Sequence, residues 1–246
     1  MVITVQDASM SKAQFDSMSA LAGSHSTAQE CNQTSCTTDH CPIFRTIGNA
    51  KSFEKGDVIF RQGEPNDQVY LLVSGIVRGS KVLADGRRLI ARFALAGQLL
   101  EYDLQPQCPF TAEAITPVCA IVIQKSRLER ATSEIPCLQN LLMRALLSEL
   151  QESRSQVLAL GRLTGIERVA QFLYSLSQTL GRDADGAVQI PMSRSDIADY
   201  LGLTIETVSR LVSRLKREGR ITLLENNRFI ICDEDQFVAE FLDDAF

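Results

Sequence analysis

Arg194-Ser-Asp-Ile-Ala-Asp-Tyr-Leu-Gly-Leu-Thr-Ile-Glu-Thr-Val-Ser-Arg-Leu-Val-Ser213 decides how the last third of the chain folds. It reads as helix, sharp turn, helix. Ser193 is placed to cap the first helix, with Asp196 three residues on. Ile197, Ala198 and Leu201 form its inner stripe, and Ala198 is small where two helices must cross closely. Gly202 supplies the left-handed backbone that ends the first helix. Leu203 fills the turn. Thr204 caps the second helix, whose inward stripe is Val208, Leu211 and Leu215.

The side chains left pointing outward on the second helix are Glu206, Ser209, Arg210, Ser213 and Arg214. This is the layout of a helix that enters the major groove of DNA with its N-terminal part against base edges. Arginine can bridge guanine O6 and N7, glutamate can accept from cytosine N4, and serine can bond a base or a phosphate. We therefore expect base contacts from Glu206, Ser209 and Arg210. Thr204, Ser213, Arg214, Lys216, Arg217 and Arg228 are placed to meet phosphates. Between Thr204 and Arg228 six basic residues face three acidic ones, a local balance of +3 inside a chain whose net charge is −5. Net charge is a whole-chain average, and a basic face can sit within it. Two short apolar runs either side of Asn226-Asn227 predict a hairpin that forms a wing beside the second helix.

Working outward, residues 164–246 form this small terminal domain, ending in a short acidic tail. Before it, Leu142, Leu146, Leu150, Val157 and Leu160 recur at helical spacing, with Ser153 in the same stripe. They predict a helix over 133–163, roughly 42 Å long at 1.5 Å per residue. So long an apolar seam finds its simplest partner in a copy of itself, which predicts a homodimer. Residues 45–132 are short runs rich in Val, Ile and Leu, cut by glycines, with Asp85-Gly86 as a hairpin turn. They predict an antiparallel barrel or sandwich. Residues 31–44 hold Cys31, Cys36 and Cys41, with His40 beside the last. Residues 1–30 are small and polar and read as a flexible tail. The fold class is α+β. With 45% apolar and 22% charged residues, the composition is that of a globular protein. No apolar run approaches the ~18–20 residues that span a bilayer. The N-terminus lacks a basic segment followed by an apolar core. A cytoplasmic location without membrane contact follows.

The order of parts resembles the CRP/FNR family of dimeric bacterial transcription regulators. The roll is similar through Gly56-Asp57-x-Ile59, Gly63-Glu64, Tyr70-Leu-Leu-Val-Ser-Gly75-x-Val77 and Phe93-x-Leu95-x-Gly97. Gly202-Leu-Thr-Ile-Glu-Thr-Val-Ser-Arg210 is similar to the FNR and FixK branch. The resemblance implies a cyclic-nucleotide-binding-like β-roll of jelly-roll type, a dimerisation helix and a C-terminal winged helix-turn-helix. It also implies TTGAT-N4-ATCAA-like palindromes as targets, with Glu206, Ser209 and Arg210 at the base-reading positions. Transcriptional activation through RNA polymerase is implied as well, with 84–88 and 181–186 as candidate contact loops. Cyclic-nucleotide-binding relatives carry a Gly-Glu pair and an Arg-Ser pair for the cyclic phosphate and ribose. Here Gly97 precedes Gln98-Leu99-Leu100, and the second stretch reads Phe110-Thr111-Ala112. No cation is placed to neutralise a buried phosphate, so cAMP binding is not expected.

The FNR side of the resemblance implies an oxygen-labile [4Fe–4S] cluster on Cys31, Cys36, Cys41 and Cys119, four soft thiolates being the standard ligation. Both gaps between the first three are four residues, where the family has a tight Cys-x2-Cys pair. Alternatives therefore stay open: a cofactor-free FixK-like regulator whose cysteines are not ligands, or zinc on Cys31, Cys36 and Cys41 with His40. More remotely, the chain is an iron–sulfur or zinc protein with no DNA role. Cys108, Cys137 and Cys232 read as packed or idle. Two histidines cannot build a His-rich catalytic metal site. No nucleophile–base arrangement or phosphate-cradling glycine loop is present, so an enzyme is not expected.

Overall fold

The computed structural model describes residues 41–102 and 105–242, with backbone alone for Cys41, Pro42 and Cys137. A short helix, α1 (Cys41–Ile47), leads into eight strands. These are β1 (Asn49–Phe53), β2 (Val58–Phe60), β3 (Gln68–Ser74), β4 (Val77–Val82), β5 (Arg88–Ala94), β6 (Leu99–Leu100), β7 (Thr111–Ala114) and β8 (Val118–Gln124). They form two four-stranded antiparallel sheets, ordered β1-β8-β3-β6 and β2-β7-β4-β5. Phe53, Phe60, Tyr70, Leu72, Val77, Leu100 and Ala120 fill one core cluster of this roll. The outer face of β3 and β8 is also covered: Val69, Leu71, Val73, Ile121 and Ile123 pack under α1 and the helices that follow. Burial on both faces is why β3 reads as an unbroken apolar run rather than an alternation. Gly75 has φ +86°, and a Cβ there would lie 2.2 Å from the Pro117 carbonyl oxygen, so only glycine fits this turn.

Two helices follow where one was expected. α2 (Lys125–Glu134) ends at Ile135 (φ −125°, ψ 93°), and α3 (Pro136–Arg162) begins with its proline in the first turn. Proline excludes the helical region for the residue before it, so the break falls at Ile135. Leu128 and Ala131 of α2 and Leu138 and Leu142 of α3 are buried against the roll.

The terminal domain holds α4 (Gly165–Thr179), β9 (Val188–Gln189), α5 (Arg194–Leu201), α6 (Ile205–Arg217), β10 (Ile221–Leu224), β11 (Arg228–Ile231) and α7 (Glu234–Phe241). Its sheet runs β10-β11-β9. Glu225, Asn226 and Asn227 form the three-residue loop between the paired Leu224 and Arg228, and both asparagines have positive φ, 60° and 57°, which asparagine tolerates better than most residues. The segment expected as an acidic tail is helix α7. Asp233 caps it, and Phe237 and Phe241 are buried with ring centroids 5.2 Å apart.

Candidate nucleic-acid interface

α5 and α6 build the site. The Ser193 hydroxyl accepts from the Asp196 backbone N–H at 3.1 Å and the Asp196 carboxylate accepts from the Ser193 backbone N–H at 3.4 Å, the reciprocal capping box, while the Ser193 hydroxyl also donates to that carboxylate at 2.8 Å. Gly202 ends α5 in the left-handed region, φ 63° and ψ 39°. The Thr204 hydroxyl accepts from the Thr207 N–H at 3.2 Å and starts α6. The buried stripe of α6 is Val208, Val212 and Leu215. Leu211, expected in that stripe, is only half-buried and lies over Gly165.

Opposite that stripe Glu206, Ser209, Arg210, Ser213, Arg214, Lys216 and Arg217 are exposed. The Glu206 carboxyl is held below its usual range by its own backbone N–H and then by the Thr204 hydroxyl, so it is ionised and acceptor-only at neutral pH. The Ser213 hydroxyl donates to the Ser209 carbonyl at 2.8 Å. Arg214 pairs with Glu218 at 2.8 Å, one turn along. On the wing, Arg228 pairs with Asp183 at 2.7 Å and Asp185 at 3.0 Å. These two carboxylates belong to the 181–186 loop and tie it to the wing.

Two groups of residues went unread in the sequence. The Arg168 guanidinium donates to the carbonyls of Leu160 (2.9 Å), Leu163 (3.0 Å) and Leu201 (3.1 Å). Arg78 and Arg88, from the roll, pair with Asp196 at 2.9 Å each. Only Asp196 carried a local signal, as a capping residue.

The expected dimer stripe divides in two. Leu146, Leu150, Ser153, Val157 and Leu160 are exposed along α3. Leu142 is not: it is 3% exposed, in the core with Leu71, Leu128 and Leu138. Met143, Leu147 and Leu158 join the exposed apolar residues, and within that set Met143, Leu147, Leu150 and Val157 share one stripe. Those spacings of four, three and seven match the heptad repeat by which helices pair.

Of the four expected cluster ligands, Cys31 and Cys36 lie outside the described residues, and so does the Cys41 side chain at the start of α1. Cys119 sits on β8, buried in the same core as Phe44 and Ile47 of α1. It is disulfide-bonded. Cys108 is buried and free. Its thiol is pushed up to about 11 by burial and then by the Glu101 carboxylate. Tyr70 is pushed up to about 12, first by burial and then by Cys108, Asp67, Glu101 and Glu64. Cys232 is exposed beside Thr222.

Comparison with known proteins agrees with this geometry. A model described as a Crp-like helix-turn-helix domain matches residues 167–239, and a cyclic nucleotide-binding domain model matches 50–134. The nitrogen fixation regulation protein FixK of Bradyrhizobium diazoefficiens is 37% identical over 74% of this chain and 77% of its own length. The transcriptional activatory protein AadR of Rhodopseudomonas palustris is 37% identical over the same shares. The solved structure of FixK2 from Bradyrhizobium japonicum superposes with a TM-score of 0.72 and 35% identity, covering 78% of this chain and 96% of that one. These relatives are transcription regulators, not enzymes. No helix among the described residues is long and apolar enough to cross a membrane. The chain belongs to the CRP/FNR family, in its FixK branch, and is a FixK-type transcription regulator with a helix-turn-helix DNA-binding domain.

Proposed function

We propose that the chain works in the cytoplasm as a homodimeric activator that binds TTGAT-N4-ATCAA-like palindromes and contacts RNA polymerase. The observation that carries this reading is the set Glu206, Ser209 and Arg210, exposed on one side of a helix capped at Thr204 and anchored by Val208, Val212 and Leu215. The open seam of Met143, Leu147, Leu150 and Val157 supports pairing with a second copy. The similarity to the transcriptional activatory protein AadR supports activation. Arg210→Ala should lose about 1–3 kcal/mol of sequence-specific binding per half-site. Competition between operator and scrambled duplex measures this, and equal losses on both duplexes would refute base reading by Arg210.

The oxygen response is part of the same proposal. Cys31, Cys36, Cys41 and Cys119 would hold a [4Fe–4S] cluster, whose chemistry when bound is lability to oxygen. The fit rests on α1, which begins at Cys41 and packs in the core that contains Cys119. A second reading has no cofactor, and the gaps of four residues between Cys31, Cys36 and Cys41 favour it. Anaerobic isolation separates the two. A brown protein with iron and sulfide in equal amounts supports the cluster, and a colourless protein that binds DNA supports the second reading. Cyclic nucleotide binding is not proposed, because Gly97 is followed by Gln98-Leu99-Leu100 and the second stretch reads Phe110-Thr111-Ala112, in place of the Gly-Glu and Arg-Ser pairs that hold a cyclic phosphate.

A further inference from the structure

Outside the reading face, a connected set of charged groups lies where α5 rests on β5. Asp196 is 3% exposed and faces two guanidinium groups, Arg78 Nη1 and Arg88 Nη2, each at 2.9 Å. Arg78 also reaches Glu113 at 2.8 Å. Arg88 continues to Asp199, with Nε at 2.8 Å and Nη2 at 2.7 Å, and to Ser195 Oγ at 3.3 Å. Phe93 of β5 stands beside this set, with ring centroids 5.1 Å from Tyr200 and 6.2 Å from Phe172. Apart from the Arg78–Glu113 pair, which lies within the roll, each of these contacts joins the roll to the first helix of the pair or its neighbour. None uses Glu206, Ser209 or Arg210, which stay exposed.

Guanidinium–carboxylate bonds are directional, and a buried carboxylate left without its partner is strongly disfavoured. Asp196 therefore resists any rotation of the terminal domain that takes it off β5. A dimer reads two half-sites only if its two recognition helices stand about one helical turn apart. The angle between each terminal domain and its roll sets that separation.

We propose that Arg78 and Arg88 are positioning residues for operator recognition: by holding Asp196 and Asp199 they fix each recognition helix at one angle and restrict the dimer to one half-site spacing. This rests on the dimeric, palindrome-reading function proposed above. Full-length wild type, Arg78→Met/Arg88→Met and Arg88→Lys are compared on a palindrome with the four-base-pair spacer, the same palindrome with two base pairs added, a single half-site and a scrambled duplex. Wild type should prefer the shorter spacer by about tenfold or more. The double methionine variant should lose that preference to about twofold while its half-site affinity stays within about twofold of wild type. Arg88→Lys, which keeps the charge, should retain most of the preference. A methionine variant with undiminished spacer preference overturns the proposal. So does one that also loses half-site binding, because the arginines would then support the fold of the terminal domain rather than its placement. A wild type that treats palindrome and scrambled duplex alike overturns the underlying reading and the proposal with it.

Discussion

Asp196 and Lys216 show how differently two charges behave on neighbouring helices. Burial alone would raise the Asp196 carboxyl, but the Ser193 hydroxyl, then Arg78 and Arg88, outweigh it and hold it below its ordinary value of 3.8. A carboxylate depressed by folding contributes stability that is present above the ordinary value and lost as pH falls through the folded one. Chemical denaturation across the acid range should therefore show a steeper loss for wild type than for Asp196→Asn; equal slopes would mean the carboxylate is not depressed. Lys216 is exposed at the C-terminal end of α6. Its expected role is to neutralise a phosphate, with no base preference. Lys216→Ala should weaken operator and scrambled duplex alike and reduce the slope of log affinity against log salt by about 1. Filter binding over a salt series measures this. A selective loss on the operator would assign Lys216 to base reading instead.

At the scale of elements, the helix-turn-helix depends on its turn. At φ 63° Gly202 has only ordinary van der Waals neighbours for an added Cβ, Leu160 Cδ2 at 3.5 Å and Arg168 Nη1 at 3.7 Å. The cost of Gly202→Ala is thus backbone strain alone, about 1–2 kcal/mol, read as a lowered midpoint of thermal unfolding. The same elements show what the sequence made legible. Caps and turns are local, so Ser193, Gly202, Thr204 and the Asn226-Asn227 hairpin could be read from neighbouring residues. Pro136 marks a first helical turn in the sequence, but α2 went unread, because Lys125–Glu134 is mostly charged and polar and carries only Leu128 and Ala131 as buried residues. The stripe on α3 was misplaced at Leu142 because the helix carries two apolar faces, and a period cannot say which of them meets its own roll. Helix α7 was missed because Phe237 and Phe241 lie among acidic residues that read as a tail.

Across the whole molecule, the two faces of α3 separate folding from association. Leu142→Ala should cost about 2–5 kcal/mol of stability through the cavity it leaves in the core, with little change in the dimer constant. Val157→Glu, at a site 70% exposed in one chain, should leave each protomer folded but raise the dimer dissociation constant by about tenfold or more, since it sets a charge in the apolar seam. Sedimentation velocity with far-ultraviolet dichroism distinguishes the two effects. The pairing between roll and terminal domain was not legible in the sequence beyond the capping role of Asp196, because Arg78 and Asp196 stand 118 residues apart and only the fold brings them together. Arg168 belongs to the same scale. One guanidinium closes the last turn of α3 and the last turn of α5 together, through Leu160, Leu163 and Leu201. Neither rod's end can therefore fray without releasing the other: in the proposed dimer, a twist along α3 would be handed to the groove-facing unit as a turn of the whole body rather than lost at a loose joint.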